Sequence, residues 1–344
     1  MHQTPPRIQI YEKVSNTLAR LTDGELEKLL AAAKPLSKSI GGTASSIFIE
    51  DIPIFVKKIP LTDLEQSPQH LMSTANLFEL PLFYQYGVGS TGFGVWRELS
   101  AHILTTNSVI AGECLNFPLL YHWRILPRNN HDEEKKSDDI CRYWENSKAI
   151  RHRLESLDNA TMCVTLFLEY VPQTLFSWLN VAIQKGGSAA EKAIYWTERE
   201  LKATGAFMKT KDFRHFDAHF HNLLTDGKHL YFSDFGLALS SSFNLSKEEK
   251  DFLNYHHNYD EACFVVNLLH CIVTSLFGKE KWPIDLCEII ALDLGDRLPP
   301  GIIPLIKKYM PIALMMDDFF YKLRKESKLT PYPMAKIQEL FDAL

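Results

Sequence analysis

Apolar residues recur at helical spacing over the first 36 residues. Ile8 to Leu21 is amphipathic, and Thr22-Asp-Gly-Glu25 has capping-box spacing ahead of LEKLLAAAKPL. Over 39–59, SIGGTASSIFIEDIPIFVKKI, the pattern predicts two short strands joined by a tight turn at Glu50-Asp51. A polar, glycine-containing stretch (60–93) precedes a helical pattern that starts VWRELSAHIL at Val95. Strand-like LLYHWRIL (119–126) follows, then a mixed charge run, RNNHDEEKKSDD (128–139), that reads as a solvated loop. TMCVTLFLEYV (161–171) is a continuous apolar run of buried-strand type. After Pro172 the pattern is helical through TLFSWLN and from about Ala189 to Lys209, gives way to a β-rich polar interlude at 213–240, and resumes from Lys247.

This order, β-rich first and helical after a proline-containing hinge, predicts an α+β chain of two lobes with a crevice at the hinge, a common place for a ligand. The expected division is a helical extension over 1–38, a β-rich lobe over 39–171 with insertions near 60–93 and 128–150, and a helical lobe over 172–344. Composition narrows the class. With 46% hydrophobic and 23% charged residues the chain is globular rather than disordered, and 344 residues suffice for two lobes. A net charge of -5 gives no general field for wrapping nucleic acid. The six cysteines lack zinc-knuckle spacing and read as reduced core thiols. No signal peptide is read at the first residues. The longest apolar candidate, IIPLIKKYMPIALMM (302–316), is broken by two lysines and two prolines, so the expectation is a cytoplasmic chain without a membrane span.

The densest polar constellation is RHFDAHFHN (214–222), followed by LLTDGKHLYFSDFGLAL. Two short strands flanking Asp226-Gly227 read as a hairpin with Asn222 at one end and Asp234 at the other. An amide oxygen and a carboxylate held together suit a hard divalent cation, above all Mg²⁺ carrying phosphates. Asp217, in the loop leading to that hairpin, is placed to meet a hydroxyl at the end of the phosphate chain. Three histidines, His215, His219 and His221, do not form a closed zinc set.

HFDAHFHN resembles the catalytic loop H-R-D-x-x-x-x-N of the protein-kinase superfamily, and SDFGLAL resembles its D-F-G segment. The resemblance implies ATP and Mg²⁺, with Asp217 as catalytic base and Asn222 and Asp234 as metal ligands. IFVKKI then aligns with the strand-borne lysine, and alternation along the strand favours Lys57 over Lys58 as the phosphate contact. Glu98 is the expected partner of Lys57, with Glu79 and Glu65 as rivals, at an interval of 41 residues that requires an insertion. Leu168-Glu169-Tyr170-Val171-Pro172 resembles the hinge: backbone groups of Glu169 and Val171 would pair with adenine, and Leu168 would guard the back pocket. Gly41 and Gly42 stand where a phosphate loop belongs, although the third glycine is missing.

Other features depart from the family. There is no A-P-E, and Asp260 reads either as the aspartate that braces the catalytic loop or as a plain helix cap. Ser240, Ser241 and Ser242 stand in the segment where activating phosphorylation occurs, or form an ordinary polar loop. His219 sits where aminoglycoside and choline kinases often carry histidine. The readings are therefore a Ser/Thr-type protein kinase, a small-molecule kinase, or a silent kinase fold acting as a binding module. The acceptor is a hydroxyl on a protein or a small molecule.

Overall fold

The computed structural model describes residues 6–39, 42–128, 138–278 and 299–344, over which the chain is α+β. It divides into two units. The first comprises residues 1–171 with 234–238 and 242–246, the second residues 172–233, 239–241 and 247–344.

The first unit is built on a five-stranded antiparallel sheet in the order β1-β2-β3-β5-β4: β1 (Lys34–Ser39), β2 (Gly42–Ile49), β3 (Ile52–Leu61), β4 (Leu120–Pro127) and β5 (Met162–Glu169). Glu50 and Asp51 both take positive φ, 48° and 67°, the geometry whose twist matches a tight hairpin between β2 and β3. The sequence pattern carries helix up to residue 36, but β1 begins at Lys34. Pro35 explains the difference, because the residue before a proline is driven out of the α region. Helices α1 (Pro6–Arg20) and α2 (Asp23–Ala31) precede the sheet, and α1 lies against β4.

One sheet face packs on α4 (Val95–Ile110), where Val95, Trp96 and Leu99 join Ile59, Leu61, Val164 and Leu166 in a single apolar core. The start of α4 is set by the short helix α3 (Asp63–Gln66). Glu65 closes a capping box with Thr62 and also accepts the Val95 N–H at 2.9 Å, while the Trp96 indole donates to the Glu65 carbonyl at 2.9 Å. Its carboxylate lies 2.8 Å from Arg153 of α6 (Lys148–Asn159), and both side chains are at most 2% exposed. Burial alone would raise the Glu65 carboxyl, but the Arg153 charge and hydrogen bonds hold it below the ordinary carboxylate value. α5 (Asp138–Tyr143) and α6 were not read from the pattern, although Ile150, Leu154 and Leu157 repeat at helical spacing and are buried.

The second unit is mainly helical: α7 (Leu175–Gln184), α8 (Gly187–Thr210), α9 (Lys247–Tyr255), α10 (Tyr259–Phe277) and the helices Ile302–Lys325 and Met334–Asp342. Short strands accompany them. β6 (Gln173–Thr174), β8 (Leu223–Thr225) and β9 (Leu230–Phe232) form one sheet, and β7 (Phe213–Arg214) pairs with β10 (Leu239–Ser240). The β8–β9 connection is longer than a two-residue turn because the Asp226 carboxylate accepts the N–H groups of Lys228 and His229 at 2.8 and 2.7 Å. Among the described residues, α10 rather than 302–316 is the helix long and apolar enough to cross a membrane, and 61% of its apolar window is buried. Cys141, Cys163, Cys263 and Cys271 are buried thiols.

Removing one partner of a buried ion pair strands the other charge, at a cost of about 3–5 kcal/mol. Arg153→Met should therefore destabilise the chain by about that amount, and Glu65→Gln added to it should restore part of the loss. Urea midpoints of the single and double variants check this, and an unchanged midpoint in Arg153→Met would refute it.

Candidate functional site

Alternation along β3 buries Lys57 (7% exposed) and leaves Lys58 half-buried. The Lys57 ammonium donates to Glu98 Oε1 at 2.5 Å and to Asp234 Oδ1 at 2.7 Å. Burial alone would lower the Lys57 pKa, but the carboxylates of Asp234 and Glu98 hold it above the ordinary lysine value. Burial pushes the Glu98 carboxyl up. Glu98, in the first turn of α4, is 4% exposed, whereas the Asp234 side chain is 40% exposed. Asp234 takes φ 62°, a left-handed conformation uncommon for a residue with a side chain. The next residue anchors it: Phe235 is fully buried, its ring 4.9 Å from His102 of α4 and 6.2 Å from Phe117. Of the rivals for Lys57, Glu65 is committed to α4 and Arg153, and Glu98 makes the contact.

The second unit carries the other constellation. The carboxylate of Asp260, in the first turn of α10, accepts the N–H of His215 at 2.7 Å and of Phe216 at 2.9 Å. It therefore ties down the loop backbone, while Asn258 takes the cap position. Phe216 has φ 61°, a strained value held by its buried ring, which packs 5.5 Å from Phe252, 5.6 Å from His256 and 5.0 Å from Tyr259. The Asp217 N–H donates to His215 Nδ1 at 3.3 Å, which leaves the proton on Nε2 to be donated to the Ser233 carbonyl at 2.9 Å. Asn222 donates from Nδ2 to the Asp217 carbonyl and to Asp217 Oδ2, both at 3.0 Å. The amide oxygen of Asn222 is the end turned from Asp217, and its chemistry suits a hard cation. His219 Nε2 lies 3.9 Å from Asp217 Oδ2.

No protein-family model matches the chain, and no curated protein matches its sequence.

The remaining expected residues divide. Gly41 lies outside the described residues, as does Cys287. Gly42 (φ 141°) has a reason of its own to be glycine, because a Cβ there would come within 2.2 Å of the Lys58 carbonyl. Glu169 ends β5 with its N–H on the Leu119 carbonyl at 2.8 Å, and Val171 ends the first segment of that unit. Sequence reasoning missed Arg7, which clasps the Glu169 carboxylate at 2.6 Å and donates to the carbonyls of Leu115 and Phe117. A lone arginine opening an amphipathic helix carries no signal of such a partner.

His256, beneath Phe216, donates from Nδ1 to the Phe252 carbonyl at 2.7 Å, and burial lowers its pKa to about 4 from 6.5. Between those values the unfolded chain binds a proton that the folded chain does not. Stability therefore falls as pH drops through that window, by roughly 3 kcal/mol at full extent. His256→Phe should flatten this part of the profile. Denaturation of both proteins between about pH 7 and pH 4.5 checks it, and parallel profiles would refute a neutral buried imidazole.

Proposed function

We propose that the protein is an ATP- and Mg²⁺-dependent phosphotransferase that moves the γ-phosphoryl group to a hydroxyl, and that it acts as a protein kinase. The observation that carries this reading is the buried ammonium of Lys57 shared between Glu98 and Asp234. The two-lobed kinase plan, with ATP held by residues of both units, is part of the same proposal. The sheet order β1-β2-β3-β5-β4 with α4 against it, and the helical character of the second unit, support it.

In this reading Lys57 holds the α- and β-phosphates, and Glu98 keeps its ammonium in place. Asp234 and Asn222 supply a carboxylate and an amide oxygen, the hard donors that Mg²⁺ accepts when it also binds phosphates. Once bound, the metal ion would offset the charge that develops on the transferred group. Asp217 orients the acceptor hydroxyl and takes its proton, with Asn222 and the His215 ring fixing the loop that presents it. Backbone groups of Glu169 and Val171 would meet adenine. The chemistry needs little covalent help, so placement and charge supply most of the acceleration. A second reading, a small-molecule acceptor, is favoured by His219 beside Asp217.

Asp217→Ala should lower turnover at least about 100-fold, the scale of general-base catalysis, and leave nucleotide affinity nearly unchanged. Transfer of label from γ-labelled ATP into the protein and small-molecule fractions of a lysate checks this and separates the two acceptors; undiminished transfer by the variant would remove Asp217 from the role. Asp234→Ala should abolish the part of nucleotide binding that depends on Mg²⁺. Calorimetry with and without the metal reads that directly, and an unaltered metal dependence would refute the assignment.

A further inference from the structure

The stretch 62–94, which separates Lys57 from Glu98, meets the chain that carries Asp234 at three points, two of them hydrogen bonds and one a close approach. Gln85, 3% exposed, donates from Nε2 to the Leu237 carbonyl at 2.5 Å. Gly92, at φ 77°, lies so close to Gly236 that a Cβ would come within 2.2 Å of its carbonyl oxygen. The Thr74 hydroxyl accepts the Asn244 N–H at 2.8 Å. The stretch is itself well secured. Arg97 donates to the Thr74 carbonyl at 2.7 Å, Tyr84 bonds Thr91 at 3.0 Å, the Tyr143 hydroxyl donates to the Val88 carbonyl at 2.8 Å, and Glu65 binds the first N–H of α4. All of these residues belong to the first unit.

We infer that residues 62–94 are a built-in brace, in which Thr74, Gln85 and Gly92 are positioning residues that hold Asp234–Gly236 where Asp234 meets Lys57, without covalent modification of Ser240–Ser242. The two hydrogen bonds are made by a hydroxyl and a carboxamide, and the third contact is the close approach of Gly92 to Gly236, so none of the three uses a charged group. A phosphoryl group usually orders such a segment by bringing new charge to arginines. Ser240 is fully buried in β10, whereas Ser241 and Ser242 are exposed. The positional claim stands on geometry alone, and its consequence for catalysis rests on the phosphotransfer reading.

Hydrogen exchange over residues 236–246, compared between the unaltered chain and Gln85→Met, tests the brace. Exchange there should quicken about tenfold, the scale of one buried hydrogen bond lost. Thr74→Val, a milder change, should quicken the Asn244 amide and carries the comparison if Gln85→Met does not fold. In both variants the gain in ATP affinity on adding Mg²⁺ should shrink, while affinity without the metal stays the same, a split that loss of general stability would not produce. Wild-type protein whose intact mass shows no modification should transfer phosphate as fast as Ser241→Ala/Ser242→Ala. Unchanged exchange in both variants would overturn the brace, and so would transfer seen only after phosphorylation of Ser241 or Ser242. Wild-type protein that neither binds Mg·ATP nor transfers phosphate would sink the phosphotransfer reading alone, because the exchange comparison still decides the brace.

Discussion

A buried ammonium between two carboxylates is the constraint on which the first unit turns. Lys57 cannot stay charged at 7% exposure without partners, and its partners come from distant parts of the chain: Glu98 from α4 and Asp234 from the segment that returns after β9. Meeting that one requirement fixes three things together: the face of β3 that points inward, the rotation of α4, and the backbone of residues 234–236. The cost is visible at Asp234, which takes a left-handed φ of 62°, and at Glu98, whose carboxyl burial pushes up. With all three groups ionised the cluster carries one surplus negative charge. Asp234 is the half-exposed member of the cluster.

The three residues of this cluster were legible because each lies in a run whose local chemistry is distinctive: a lysine pair inside an apolar strand, a glutamate opening an amphipathic helix, an aspartate before Phe-Gly. Their partnership was less legible, because 41 residues separate Lys57 from Glu98. The stretch between them has no periodicity to read. Its order comes in part from Glu65, which bonds the first turn of α4, and from Gln85, which bonds the Leu237 carbonyl, and pattern reasoning does not see such pairs. Thr62-x-x-Glu65 is the same capping signal that marks Thr22-x-x-Glu25, yet its helix is a single turn. The lesson of β1 is the reverse: the apolar rhythm of α2 runs on toward Pro35, and one proline outweighs it.

Glu169 shows how a residue can sit where expected and still be used for something unforeseen. Only its backbone enters the hinge reading. Its carboxylate is occupied by Arg7 of α1 and by the Leu119 N–H at 3.1 Å, while its own N–H is held by the Leu119 carbonyl. The end of β5 is thereby pinned from its strand neighbour and from the N-terminal helix at once. Helix α1 is therefore part of the first unit's construction rather than an appendage, and the Arg124–Asp23 pair at 2.6 Å ties α2 to β4 in the same way.

The glycine-poor sequence 40–46 bears on whether the chain reads as an enzyme or a silent fold. A missing third glycine looks like decay if glycine there exists to cradle phosphates. Gly42, however, is required by the approach of β2 to the Lys58 carbonyl, so its presence says nothing about phosphate. By the same reasoning, serine and threonine at the following positions are no mark of loss, because those residues lie in β2 paired with β3, where the backbone is already engaged. The weight then falls on residues that the fold does not need for itself. Asp260 and Phe216 serve the loop's architecture, whereas Asn222 joins its side chain to the Asp217 carboxylate, and a hydrogen bond to a charged group stabilises a protein by about 1.5–3 kcal/mol. Asp217, Asn222 and the Lys57 cluster are the residues that the proposed phosphoryl transfer would use together.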